Sequence, residues 1–165
     1  MTTTQKFLNQ LEQESATTLK MLSVVSEEKF GWQPHPKSMN LGRLATHVAE
    51  LPGWITIALD TEGLNLANNP FEAPELHTKR ELLDFFEQKL NQGRTSLQNA
   101  TDVDLAPIWI LSYADKVVSN RPKEDVIVMA ISQIIHHRAQ LGVFLRLLNV
   151  PIPGSYGPSA DEMGM

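Results

Sequence analysis

Ser132-Gln133-Ile134-Ile135-His136-His137-Arg138-Ala139-Gln140 lies inside the longest uninterrupted helical pattern of the chain, from about Pro122 to Asn149. Residues three or four apart share a face of a helix. Val126, Met129 or Ala130, Gln133, His137, Leu141, Phe144 and Leu148 therefore form one stripe, apolar at both ends and polar at its centre. Burying an unpartnered amide or imidazole costs about 1–3 kcal/mol. A core-facing Gln133–His137 pair consequently needs partners from elsewhere in the chain.

Three further helical patterns precede this one. Thr4 to Val25 places Phe7 or Leu8, Leu11, Leu19, Leu22 and Val25 roughly on one face, and Ser26 to Phe30 suits a further capped turn. Two prolines make Trp32 to Ser38 a loop. A second helix is expected from Ser38 or Asn40, both good caps, through Leu41, Leu44, Ala45, Val48, Leu51, Ile55 and Ala58. Pro52-Gly53 falls within it and predicts a kink or a rebuilt turn. Asn65 to Pro74 reads as loop. Thr78 followed by Glu81 is a capping box for a third helix, carrying Leu82, Phe85, Phe86, Leu90 and Leu97 on its buried face, with Gly93 inside it.

Thr101 to Arg121 breaks the helical pattern. Ile108-Trp-Ile-Leu111 and Lys116-Val-Val118 are β-prone, so a short hairpin or an extended crossover is expected there. Pro122 suits the first position of the last helix. Pro151 to Glu162 is a turn-rich tail. The expected fold class is all-α: a single-domain four-helix bundle over 1–165, with a long crossover between helices three and four and a Pro/Gly-rich C-terminal tail.

Composition narrows the chemistry. The chain has 165 residues, a net charge of −5 and no cysteine. Thiolate metal sites and a protein thiol nucleophile are excluded, and any metal must take nitrogen and oxygen ligands. No basic stripe is present for a nucleic-acid backbone. No apolar run approaches the roughly 18–20 residues of a membrane span, and Met1 to Lys6 lack a signal-peptide core, so a cytoplasmic location is expected. There is no phosphate-binding glycine loop and no GxSxG elbow.

Gln133 and His137 are four apart, with Cβ atoms expected about 5–6 Å from each other. That spacing suits two side chains converging on one ion. His47, on the second helix, is the natural third ligand across the bundle, and Glu50 faces the same way three residues on. Three ligands plus water leave an open position, the arrangement of catalytic sites. The competing reading is that His47, Gln133 and His137 hydrogen-bond one another in a polar core layer. His136 belongs at the edge of the stripe or behind the ligands, while His35 and His77 sit in solvated contexts. The order His-x-x-Glu reverses that of di-iron bundles, which argues against two metals. Asp161–Glu162 suits a cap, the closing of a pocket, or plain exposure.

Trp32-Gln-Pro-His-Pro-Lys-Ser38, Leu44-Ala-Thr-His-Val-Ala-Glu50, His136-His-Arg-Ala-Gln140, Leu145-Arg-Leu-Leu148 and Tyr156-Gly-Pro-Ser-Ala-Asp-Glu162 together resemble the DinB-like family of damage-inducible, metal-dependent bundle proteins. The resemblance covers nearly the whole chain. It implies a four-helix bundle, a homodimer, and a metal triad of one histidine on helix two with a His-x-x-x-His pair on the last helix. His47 and His137 match two of these positions, and Gln133 stands at the third. An amide oxygen is a weaker ligand than imidazole, so affinity for zinc or nickel is expected to be reduced.

The resemblance leads to two expectations of function. One is a metal-dependent enzyme, a transferase using a low-molecular-weight thiol or a hydrolase, acting on a small molecule. His47 and His137 would then ligate, Gln133 would ligate or orient water, and Glu50, His136 or Asp161 would support them from behind. The other is a non-catalytic stress-response or interaction protein with a degenerate metal site. DNA binding, suggested only by the family's damage-inducible name, is opposed by the net acidity.

Overall fold

The computed structural model describes residues Met1–Met165. Helix α1 spans Thr3–Ser23, and the Thr2 side chain accepts a hydrogen bond from the Gln5 backbone at its start. A 3-10 turn at Glu27–Lys29 follows. Helix α2, Leu41–Glu50, begins where the Asn40 side chain accepts from the Arg43 amide at 2.8 Å. The pattern that reads as one helix through Ala58 is two. Leu51 and Pro52 keep helical dihedrals, but Pro52 has no amide hydrogen to give. The chain restarts as α3, Gly53–Asp60.

Beyond Thr61 the backbone is extended, and Gly63–Asn65 forms strand β1. The 21-residue helix α4, Lys79–Asn99, opens on the expected Thr78–Glu81 capping box. Strands β2, Ile108–Tyr113, and β3, Lys116–Pro122, make the antiparallel hairpin that the β-prone crossover suggests, with a register irregularity at Leu111/Ser112. Helix α5 runs from Lys123 to Leu147, and Asn149 ends it in the left-handed conformation.

The all-α four-helix bundle expected above is therefore corrected. The fold is largely helical, but it has five helices and a three-stranded mixed sheet in the order β1-β2-β3. β1 pairs parallel to β2, matching Gly63 with Ile110. A Cβ at residue 63 would stand 2.3 Å from the Ile110 carbonyl oxygen, so glycine is what lets this strand close on its neighbour. Three residues are too few to show a two-residue period, and nothing local distinguishes them from loop.

Two apolar clusters fill the interior. One gathers Phe7 and Leu11 of α1, Ile55 and Ala58 of α3, Trp109 of β2, and Ile127, Ile131 and Ile134 of α5. The other gathers Met21, Leu22 and Val25, then Leu41, Leu44, Ala45, Val48 and Ala49 of α2, Phe85 and Phe86, and Leu141 and Leu145. Between them α1 contributes Glu14, Ser15 and Thr18, all buried, and α5 contributes buried Arg138. The chain thus has a polar layer at the height the α5 pattern suggests. Its facing differs. Ile134 and Arg138 point inward, whereas Gln133 and His137 are half-buried. Apolar residues occur on every side of α5, with Val128, Val143 and Leu147 exposed, so hydrophobic periodicity does not settle which side faces the core.

Candidate functional site

The histidines converge from two helices. His47, in the last turn of α2, meets His137, near the middle of α5, with ring centroids 4.5 Å apart in an edge-to-face arrangement. His136 is exposed and stands edge-to-face on His137 at 4.7 Å. Each member of the facing pair is oriented by a residue three positions further along its own helix. His47 Nδ1 bonds the Glu50 carboxylate, and His137 Nδ1 bonds Gln140 Oε1 at 2.7 Å. A carboxylate and an amide oxygen can only accept. Nδ1 therefore carries the proton in both rings, and in the neutral rings both Nε2 atoms keep a lone pair. Helical spacing dictates these contacts, since residues three apart are neighbours on one face.

Burial pushes the His137 imidazole below the ordinary histidine value, and the nearby His47 and His136 push in the same direction. The Gln140 hydrogen bond and the Glu50 charge oppose this without reversing it. At neutral pH the ring is uncharged, the state in which imidazole accepts a proton or ligates a cation. Glu50 also lies 3.8 Å from the Arg43 guanidinium, so one carboxylate links Arg43 to His47.

Of the residues singled out in the sequence, His47, Glu50, His136 and His137 come together. Gln133 sits one turn before His137 and is half-buried. Asp161 is held elsewhere: it receives two hydrogen bonds from Arg146, at 3.1 and 2.5 Å, and one from the Ile152 amide. Those contacts hold Asp161 well below the usual carboxylate range, at about 2, and make it a fastener of the tail. No three side chains among His, Asp and Glu are disposed to hold one metal ion. The residues present are two imidazoles with unpartnered Nε2 atoms and, one turn before His137, the Gln133 amide, nitrogen and oxygen donors of the kind a weak metal site uses.

Two features escaped sequence reasoning. Arg43 lines a cleft of about 640 Å³ between the Glu27–Lys29 turn, the start of α2 and residues 72–77. Thr46 lines it too, one residue before His47. The other is Arg138, which is 1% exposed and ion-paired to Glu14 at 2.7 Å. Its place in the His136-His-Arg motif was visible, but one chain position carries no sign of a partner on α1.

Fold and histidine pair together define a class: a helix-rich domain with two imidazoles facing each other from its second and last helices. The chain belongs to the DinB family, whose sequence model matches residues 1–164. It is 24% identical over 157 residues to the uncharacterised Bacillus subtilis protein YrdA, an alignment covering 94% of this chain and 89% of that one. Two solved structures share the fold. A DinB-like protein from Bacillus cereus has a TM-score of 0.71 at 24% identity, covering 91% of this chain and 95% of its own. A DinB-like protein from Bacillus subtilis, YjoA, has a TM-score of 0.72 at 14% identity, covering 91% and 97%. No helix is long and apolar enough to cross a membrane.

Proposed function

We propose that His47 and His137 hold a divalent transition metal, zinc or nickel, with the Gln133 amide oxygen as a weaker third donor. On this reading the chain is a metal-dependent enzyme acting on a small molecule. One observation carries the reading: both imidazoles commit Nδ1–H to an acceptor on their own helix, which leaves Nε2 unpartnered on each of two rings whose centroids are 4.5 Å apart. Backing a ligating imidazole with a carboxylate or carbonyl fixes its tautomer and raises its basicity.

Bound there, the metal would lower the pKa of a coordinated water or low-molecular-weight thiol and so supply a nucleophile at neutral pH. The chain's own residues do the remainder. Glu50 fixes the His47 ring and offsets positive charge behind it, and Gln140 does the same for His137 without adding charge. Arg43 sets a cation beside Glu50 at the wall of the cleft, where an anionic group of a substrate would be received. Gln133 is a poorer donor than imidazole, which lowers affinity and makes the metal easier to lose.

The test is elemental analysis of protein purified without a histidine tag, with His137→Ala and Gln133→His alongside. Near-stoichiometric metal in the wild type, lost in His137→Ala and tightened in Gln133→His, is the expected result. Equal metal in wild type and His137→Ala would remove the proposal.

A second reading, a non-catalytic interaction protein with a degenerate site, draws support from the arrangement of Glu50 and His136, which join His47 and His137 without forming a three-ligand group. It predicts metal uptake by Gln133→His alone.

A further inference from the structure

Arg138 is the most conspicuous group that the histidine site does not use. Its side chain is almost wholly buried, in a layer between two apolar clusters. On α1 it reaches two successive turns: Nη1 donates to the Glu14 carbonyl at 3.0 Å and to Thr18 Oγ1 at 3.2 Å. Nη2 pairs with Glu14 Oε2 at 2.7 Å, an approach out of line for a hydrogen bond and so a charge contact. Nη2 also points at Tyr156 of the tail, 3.4 Å away, and the Tyr156 hydroxyl donates to Glu14 Oε1 at 2.9 Å. Burial, then the Glu14 carboxylate, push the Tyr156 hydroxyl up, so it remains a donor across the neutral range.

The tail is fastened independently. Asp161 bridges Arg146 and the Ile152 amide, and Glu162 accepts from the Gly154 and Ser159 amides at 3.0 Å each. Tyr156 is thereby delivered to the Arg138–Glu14 pair by a pre-formed strap.

Such a pair is a poor device for stability, because well-packed hydrophobic residues often replace a buried ion pair at no loss. It is a good device for direction. Apolar residues occur on every side of α5, so the apolar pattern by itself selects its rotation weakly. A helix with side chains is about 10–12 Å across, so a rotation of roughly 20° moves a side-chain tip by about 2 Å. A metal–ligand distance tolerates about 0.2 Å. Two hydrogen bonds and a charge contact to α1, with a third hydrogen bond to Tyr156, tie residue 138 and its neighbour His137 to one setting of α5 against α1.

We infer that the buried Glu14–Arg138 pair, with the exposed Tyr156 at its surface end, forms a latch that sets the rotation of α5 and thereby aims His137 at His47. They are positioning residues, and the inference deepens the metal reading by naming what holds one ligand in place. In a Glu14→Leu/Arg138→Met double variant the Thr18 hydroxyl still has the Glu14 carbonyl at 2.8 Å, and no buried charge is left alone.

The experiment compares this double variant and Tyr156→Phe with the wild type by thermal melting, by the His47–His137 ring–ring NOE in metal-free protein, and by cobalt(II) titration. The expected double variant melts within a few degrees of wild type, loses the NOE, and binds cobalt at least about tenfold more weakly. Tyr156→Phe, which deletes one hydroxyl at the surface end of the latch, is expected to weaken the NOE and cobalt binding by about twofold. A folded double variant with both readouts at wild-type values overturns the latch. Should the double variant not fold, wild-type values in Tyr156→Phe overturn it instead. If the wild type takes up no cobalt, the metal reading falls, and the NOE alone decides the latch.

Discussion

Gly93 and Gly142 are both interior helical glycines, and the structure predicts that alanine at the two positions moves stability in opposite directions. Replacing glycine by alanine inside a helix gains about 0.8–1.0 kcal/mol from propensity alone. At Gly142 an added Cβ would meet Met21 Cε at 3.5 Å and Ile152 Cδ1 at 4.0 Å, which is ordinary packing. The propensity gain is kept there, and Gly142→Ala is expected to stabilise by about 1 kcal/mol. At Gly93 the new Cβ would lie 2.5 Å from the Pro52 carbonyl oxygen and 3.6 Å from Ile55 Cβ. The first of these contacts is backbone, so α4 must withdraw from the α2–α3 junction by most of an ångström. Overpacking of this kind costs about 1–3 kcal/mol, which outweighs the propensity gain and leaves Gly93→Ala destabilised by up to about 2 kcal/mol. The pair should therefore differ by about 1–3 kcal/mol, several degrees in Tm for a chain of this size. Urea titrations followed by circular dichroism resolve that difference. A Gly93→Ala variant stabilised as much as Gly142→Ala would refute the close approach of α4 to Pro52.

Thr78→Ala removes the side-chain half of the capping box on α4, and a loss of about 1 kcal/mol in urea titrations is expected. His137 is expected to titrate below the ordinary histidine range, read from its ring proton shifts by NMR, because burial disfavours the imidazolium. Since the unfolded chain then binds the proton more readily, this group's contribution is present above the ordinary histidine pKa and is lost as pH falls through the folded value. Asp161 obeys the same sign further down: its contribution is complete above its ordinary value of 3.8 and disappears as pH falls through about 2. Melts of Asp161→Asn from pH 5 to 2 should show a flatter acid slope than wild type, and parallel slopes would reject the Arg146–Asp161 fastening.

Much of the scaffold is local chemistry and was legible in the chain. Asn40 and Thr78 with Glu81 are caps whose partners lie three residues away, so spacing alone identifies them. The hairpin at Ile108–Pro122 follows from β-branched and aromatic residues where helical periodicity lapses. The pairing of His47 with Glu50 is likewise a helix-surface contact. β1 was not legible, because its strand character comes from Ile110 and Leu111, some fifty positions away in the chain. The facing of α5 was also missed, by about one residue. Sequence periodicity put Gln133 and His137 inward, whereas the helix turns Ile134 and Arg138 to the core.

By itself, then, the sequence determined the helices and their caps, the β-prone crossover, the absence of protein thiols, and a polar interruption in the last helix. Each depends on residue types or on contacts within four positions. The tertiary structure alone decided that a third strand joins the hairpin. It also decided that Glu14 and Tyr156, rather than the histidines, meet the most deeply buried charge. Those outcomes depend on groups 18 to 124 positions apart in the chain. At such separations packing and desolvation choose among partners that the local pattern leaves equivalent.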